Sequence, residues 1–369
     1  MHILVTGGAG FIGSHLVDAL ITDGHAVRVL DNLDPQVHEG KQPDYLNPRA
    51  EYVWGDVRDR EAVKRCLQRI EVVYHEASAV GVGQSMYKIE HYVSANCLGT
   101  AVLLDVIVNN RLQPKKLVVA SSMSIYGEGQ YRCARCGPVF PSLRPDAQLE
   151  QRQWDLRCPG CQQVVQPEPT REDKPLAPTS VYATSKRDQE ELCLEIGRSY
   201  RIPTVALRYF NAYGPRQALS NPYTGVCAIF SARIKNGHAP LVFEDGRQSR
   251  DFIHVKDVVR ANLLVMQQST MDYQVVNVGS GRGISIVEMA DALIKLYHSS
   301  VKPAVSQKFR SGDIRHCVAD TSKLRALGFS PSIGLEEGLK DLVAWGERVD
   351  AEDRVEAAAK ELEVRGLTR

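Results

Sequence analysis

Short apolar runs alternate with stretches of helical periodicity along the first half of the chain. Residues 2–5 (His2-Ile3-Leu4-Val5) form the first run, and Leu16 and Leu20 follow at helical spacing before Gly24. Ala26-Val27-Arg28-Val29-Leu30 reads as a second strand ending in Asp31. Three further runs end alike: 51–54 leads into Gly55-Asp56-Val57, 72–75 into Glu76-Ala77-Ser78, and 116–120 into Ser121. Helical patterns at 61–69 and 95–110 lie between them, and a helix from Ser180 to Tyr200 precedes the run 204–208. Apolar runs of strand length separated by 3.6-period segments predict an α/β fold. The fold class is a doubly wound parallel sheet, helix-covered on both faces, that binds ligands at the carboxyl ends of its strands.

Residues 128–177 interrupt this rhythm. They hold two cysteine pairs and many prolines and no sustained periodicity. The expected organisation is a sheet domain over 1–215 that also takes in 252–280, broken by an insertion at 128–170. A smaller substrate domain covers 216–350, and a charged tail covers 351–369. Val355, Ala359 and Leu362 give that tail the spacing of a surface helix. No internal repeat is found.

Composition narrows the function classes. With 43% hydrophobic and 24% charged residues the chain sits at globular averages. A formal net charge of +1 gives no electrostatic case for nucleic acid or a membrane surface as partner. No secretory leader is evident, and no apolar run approaches the roughly 20 residues of a membrane span. The expectation is a cytoplasmic protein whose nine cysteines are reduced thiols or metal ligands.

Thr6-Gly7-Gly8-Ala9-Gly10-Phe11-Ile12-Gly13 follows the first strand and opens a helix within a βαβ unit. Glycines at 7, 10 and 13 allow a tight turn, close approach of backbone to a pyrophosphate, and close packing of helix on strand. The exposed N–H groups and the positive helix end favour phosphate. Asp31, 18 residues beyond Gly13, closes the second strand, where a carboxylate accepts from ribose hydroxyls and repels a 2′-phosphate. The cofactor expected is therefore NAD rather than NADP, in a Rossmann-type domain. A Gly-rich turn with a solvated Asp is the bland alternative. Asp56 and Val57 are placed to meet the adenine, and Ala77 and Ala79 to form a small-residue rim, although each also suits ordinary turn chemistry.

Tyr182 and Lys186 in Tyr182-Ala183-Thr184-Ser185-Lys186 stand one helical turn apart on one face. A free phenol titrates near 10, so a neighbouring ammonium and an oxidised nicotinamide would be needed to make it a useful base at neutral pH. A hydroxyl cluster at Ser121, Ser122 and Ser124 precedes it.

These motifs, TGGAGFIG (6–13), SSMSIYG (121–127) and YATSK (182–186), resemble the extended short-chain dehydrogenase/reductases, and within them the nucleotide-sugar 4-epimerases. LRYFNAYGPRQ (207–217), RDFIHVKDVV (250–259), NVGSG (277–281) and RSGDIRH (310–316) extend the likeness over nearly the whole chain. The resemblance implies Tyr182 as general base, Lys186 as its electrostatic partner and ribose ligand, and Ser122 as the bridging hydroxyl, with Ser124 beside it. It also implies Phe11, Ile12, Asn32, Asn96 and Tyr209 as cofactor-side residues. Asn211, Arg250 and Arg310 would hold the diphosphate of a nucleotide sugar, a task that suits the planar arginine fork. The alternative for the two arginines is a surface ion pair.

The 4,6-dehydratases of this family carry Asp-Glu directly after the active-site hydroxyl, where this chain has Met123 and Ser124. A Glu found nearby in the decarboxylases is also missing. The implied reaction is inversion at C4 of a nucleotide-diphosphate hexose through a transient 4-keto sugar. The insertion and NPYTGV (221–226) resemble dTDP-L-rhamnose 4-epimerases. A UDP-glucose/UDP-galactose 4-epimerase and a 4-keto nucleotide-sugar reductase remain alternatives, and a homodimer is expected.

Cys133-x-x-Cys136 and Cys158-x-x-Cys161 are 21 residues apart, close to zinc-ribbon spacing. Four thiolates form a closed, structural site for zinc; an unliganded thiol cluster or a redox pair is the alternative. A non-catalytic NAD-binding module with a nucleic-acid-binding ribbon is the rival from another class. Residues 131–168 hold five arginines against four acidic groups, which leaves no strong basic face.

Overall fold

The computed structural model describes all residues, Met1–Arg369, in two compact units. The first comprises Met1–Ser122, Val181–Tyr209 and Val255–Val276. Its strands are β1 (His2–Thr6), β2 (Ala26–Asp31), β3 (Glu51–Trp54), β4 (Val72–His75), β5 (Lys116–Ser122), β6 (Thr204–Tyr209) and β7 (Gln274–Val278). They form one sheet in the order β7-β6-β5-β4-β1-β2-β3. The pairs β1–β2, β1–β4, β2–β3, β4–β5 and β5–β6 are all parallel. The order reverses between β1 and β4, so Thr6 and His75 stand side by side where ligands bind in such sheets.

Why these segments are strands is visible in their burial. Ile3, Leu4 and Val5 have no exposure at all, as expected for a parallel strand covered on both faces. Helix α1 (Phe11–Thr22) buries Leu16, Val17 and Leu20, and the helix Val181–Tyr200 buries Cys193 and Leu194 beside Tyr182 and Lys186.

The region expected as a helix at 95–110 is one continuous stretch, Ile89–Asn109, with a π-helical turn at Val93–Leu98. Its mean hydropathy of 1.4 over a membrane-length window corrects the expectation that no such segment exists. Half of that window is buried inside the protein, where Leu103, Val106 and Ile107 join the core around β4 and β5.

The second unit comprises Met123–Ser180, Phe210–His254 and Asn277–Arg369. It is built on a small mixed sheet of Asn211–Tyr213, Ser249–His254, Gly283–Ser285 and His316–Cys317. Phe230, Met289, Leu293 and Leu339 form its core. The inserted segment is not periodic because it holds only short elements. Gln130–Cys133 pairs antiparallel with both Gly137–Val139 and Gln166–Glu168, around a little core of Tyr131, Leu156 and Val165. It groups with this second unit, starting at Met123, instead of with the sheet it follows in sequence. The tail forms the helix Val355–Val364, burying Ala358 and Leu362, and then pairs with Phe309–Ser311.

Candidate active site

The glycine loop joins β1 to α1. Gly7 has φ +71°, and a Cβ there would lie 2.8 Å from the Ala77 backbone; a methyl on Gly13 would overlap the Gly7 carbonyl oxygen. Helix α1 begins at Gly10 with no capping side chain and no acid in its first turn. Its leading amides and positive end therefore fit a pyrophosphate. Phe11 and Ile12 are half-buried beside them.

Asp31 is nearly buried, and its carboxylate accepts from the Ala9 and Leu33 amides, both at 2.9 Å. Each oxygen keeps a further acceptor site for a ribose hydroxyl. Asn32 donates to Asp56 at 3.0 Å, and the Arg58 guanidinium holds the Asp56 carboxyl down at about 2. Val57 lies against Gly99, where only a hydrogen fits. These donors and this cradle fit a dinucleotide diphosphate.

On the neighbouring strand ends the side chains converge. Ser122, the last residue of β5, hydrogen-bonds the Tyr182 phenol, and this lowers a phenol pKa that burial raises. Ser121 points elsewhere: it donates to Glu190 at 2.6 Å, and Glu190 pairs with Arg208 in the interior. Lys186 lies one turn beyond Tyr182 but donates to Gln189 Oε1 at 2.6 Å, and burial brings its ammonium down to about 8. Gln189 in turn donates to Thr100 at 2.9 Å. His75 contacts Thr6 and Thr100 and is neutral, because burial pushes its imidazole to about 3.

The π turn aims Asn96 inward, a common use of such turns. Asn96 accepts from the Ala79 amide at 2.7 Å and donates to Ser185 at 2.9 Å, so it fixes the rim that Ala77 and Ala79 form. Tyr209 donates to Glu76 at 2.8 Å and accepts from Asn262 at 2.8 Å. Burial raises the Glu76 carboxyl to about 7, against the Tyr209 hydrogen bond and the Lys186 charge. Glu76, Gln189 and Asn262 were not singled out from the sequence. Only Glu76 left a signal there, standing beside Ala77 at a strand end.

The residues expected to meet substrate oxygens of the diphosphate fall in the second unit. Arg250 donates to the carbonyls of Ser249, Arg315 and Ile314 at 2.9, 3.1 and 2.7 Å. Three of its five N–H groups are so engaged, leaving two. Arg310 pairs with Asp313 at 2.8 Å and lies 4.6 Å over the Phe243 ring. Asn211 has a buried Oδ1 with no partner, an acceptor that a ligand hydroxyl could satisfy. Ser124 sits half-buried in the 3-10 turn Met123–Tyr126. The sulfurs of Cys133, Cys136, Cys158 and Cys161 gather within 4.8 Å of one another. A tetrahedral zinc with bonds of about 2.3 Å would set them about 3.8 Å apart, so the cluster is of the right size.

Sheet order, glycine loop and the Ser-Tyr-Lys group define an enzyme of the extended short-chain dehydrogenase/reductase class, and the chain belongs to the NAD dependent epimerase/dehydratase family. Residues 3–143 and 159–279 match that family, with the break falling inside the inserted ribbon. The chain is 36% identical over 348 residues to the dTDP-L-rhamnose 4-epimerase of Burkholderia thailandensis, covering 93% of this chain and 94% of that protein. It resembles the UDP-glucose 4-epimerase of Thermotoga maritima solved with UDP-glucose (TM-score 0.76, 32% identity, 94% of this chain and 99% of that one). It also resembles the Thermus thermophilus UDP-glucose 4-epimerase solved with NAD (TM-score 0.75, 30% identity, 95% and 100%). It is an NAD-dependent enzyme of the nucleotide-sugar 4-epimerase group.

Proposed function

We propose that the enzyme inverts C4 of a deoxythymidine-diphosphate hexose, interconverting dTDP-L-rhamnose and dTDP-6-deoxy-L-talose. The observation that carries the reaction type is the Ser122–Tyr182 hydrogen bond at the carboxyl edge of the sheet. Tyr182 takes the proton from the sugar O4, and Ser122 orients that oxygen and the phenol together. NAD held by the glycine loop and Asp31 would supply reversible hydride transfer at C4, so that the sugar is reduced again on its other face with no net redox change. Lys186, already poised near 8, holds positive charge beside the developing phenolate and hydrogen-bonds the cofactor ribose. The glycine loop and Asp31 hold the dinucleotide. Asn211, Arg250 and Arg310 hold the substrate diphosphate, with Ser124 beside the sugar. Met123 and Ser124 put no carboxylate after Ser122, which supports epimerisation over dehydration.

The nucleotide and hexose are taken from the Burkholderia relative. A UDP-glucose/UDP-galactose 4-epimerase is the second reading, favoured by the likeness to the Thermotoga enzyme. The four clustered sulfurs hold one structural zinc. The exposed Ile89, Val93 and Leu98 on the long apolar helix, with Leu192 on the helix after it, give a homodimer its contact face. Nine cysteines and no disulfide suit a reducing cytoplasm.

The test is incubation of the purified enzyme separately with dTDP-L-rhamnose and UDP-glucose, followed by proton NMR of the sugar. A C4 epimer from the first without added cofactor is expected. Stoichiometric NADH without epimer overturns the mechanism, and epimer only from UDP-glucose moves the reading to the second substrate.

A further inference from the structure

Residues 313–316 are held from two directions. On one side they carry the candidate diphosphate arginines: Arg250 is fastened to the Ile314 and Arg315 carbonyls, and Arg310 to the Asp313 carboxylate. On the other side they are gripped by the inserted ribbon. Glu128, 3% exposed, stands at the ribbon's root. Its Oε1 accepts the Arg315 amide at 2.7 Å, and its Oε2 accepts the Tyr131 hydroxyl at 2.8 Å and the His316 amide at 3.4 Å. The Gly129 amide donates to the His316 carbonyl at 2.9 Å. Tyr131 itself packs among Cys133, Leu156 and Cys158 in the ribbon core.

A second grip comes from Arg144, whose side chain is 1% exposed. It donates to the Asp313 carbonyl at 3.2 Å and the Trp154 carbonyl at 3.0 Å, and forks onto both Glu244 oxygens at 2.9 Å. Arg315 meets the same Glu244 at 3.0 Å and Asp245 at 2.6 Å.

We infer that the inserted four-cysteine ribbon is a positioning device for the substrate diphosphate, setting Arg250 and Arg310 through Glu128 and Arg144. Two-pronged recognition of phosphate by arginine is geometrically demanding, and displacement by about 1 Å is enough to weaken such a site severely. A guanidinium fastened to three carbonyls cannot adjust alone, so it goes where residues 314–315 go. Those residues are held by strand pairing with Ser249 and Arg250 on one side and by Glu128 and Arg144 on the other. The dense buried ion pairing fits such a role, because moving one partner away would leave the other's charge buried and uncompensated, which is strongly unfavourable. The inference rests on the proposed diphosphate role of Arg250.

The test compares Glu128→Gln, Arg144→Lys and Arg250→Ala in the full NAD-loaded enzyme. dTDP and UDP binding is measured by calorimetry, with bound NAD per chain and kcat for the epimerisation read alongside. Glu128→Gln sets an amide donor against amide N–H groups, and Arg144→Lys keeps the charge but loses the fork. Each is expected to weaken binding of the preferred nucleoside diphosphate about tenfold or more, to raise KM in step, and to leave NAD content and kcat within about twofold. Should Glu128→Gln not fold, Arg144→Lys decides alone. If Arg250→Ala weakens binding and the ribbon variants that fold do not, the positioning role is overturned and the diphosphate reading stands. If Arg250→Ala binds as wild type, the diphosphate reading itself fails. Loss of NAD and kcat together with nucleotide affinity would mark Glu128 and Arg144 as general stabilisers and also overturn the inference.

Discussion

The two units hold their chemistry in place by different means. Around Tyr182 and Lys186 the strands β1, β4, β5 and β6 are buried almost completely, and neutral links (Ser122 to Tyr182, Gln189 to Thr100, Asn96 to Ser185) stand beside a single buried ion pair, Glu190 with Arg208. Around Arg250 the positioning is ionic, through Glu128, Arg144, Glu244 and Arg315, with a thiol cluster at the far end. The difference follows from supply. The sheet has enough apolar area to fix its strand ends by packing. The ribbon has three short strands and a handful of apolar side chains, too few to order a segment of its length. Charges and, on our proposal, a metal supply the missing order. The family match skips residues 144–158, a stretch inside the ribbon.

Perturbing each unit separately tests this contrast. Tyr182→Phe is expected to give the largest effect, a fall in kcat of about 10³-fold with NAD still bound; a rate within about tenfold of wild type would assign the proton to another group. Gly13→Ala comes next, since its methyl must displace the Gly7 carbonyl. NAD retained after gel filtration should drop to a small fraction, while dTDP binding to the second unit should change little. Removing the metal, by chelation or by Cys158→Ser, should lower the melting midpoint by about 5 °C and weaken dTDP binding with NAD retained. Metal analysis finding no zinc in the wild-type protein would refute the premise.

The smallest effect concerns Glu76. Its carboxyl keeps a proton up to about 7 in the folded protein, against 4.5 for an ordinary glutamate. The folded form therefore binds more protons across that window, and this group's contribution to stability declines as pH rises from 4.5 to about 7. His75, pushed to about 3, contributes with the opposite slope below 6.5. The difference between wild type and Glu76→Gln isolates the former. Melting curves at pH 5, 6 and 7 should show wild type losing ground to the variant, and a constant difference would contradict the shifted carboxyl.

What could be read from the sequence was what is local along it. The glycine loop, Asp31 at its strand end and the Tyr182–Lys186 spacing each lie within one βαβ unit or one helical turn, and the parallel sheet follows from alternating short runs. The four cysteines were legible because ligand spacing is itself a sequence pattern. Glu76 with Tyr209, or Glu128 with Arg315, leave no such pattern, being joined across 133 and 187 residues. The long helix was underestimated because Glu90, His91 and Asp105 punctuate an otherwise apolar stretch. The ribbon's attachment to the second unit was invisible for the same reason as Glu128: only tertiary contacts create it.

The first unit is stitched from three separated lengths of chain, the last ending at Val276. During synthesis β6 must wait, with one edge unpaired, until Gln274–Val278 leaves the ribosome and completes the sheet. An open sheet edge is therefore exposed while residues 210–273 are being made, and for that interval it is at risk of aggregation.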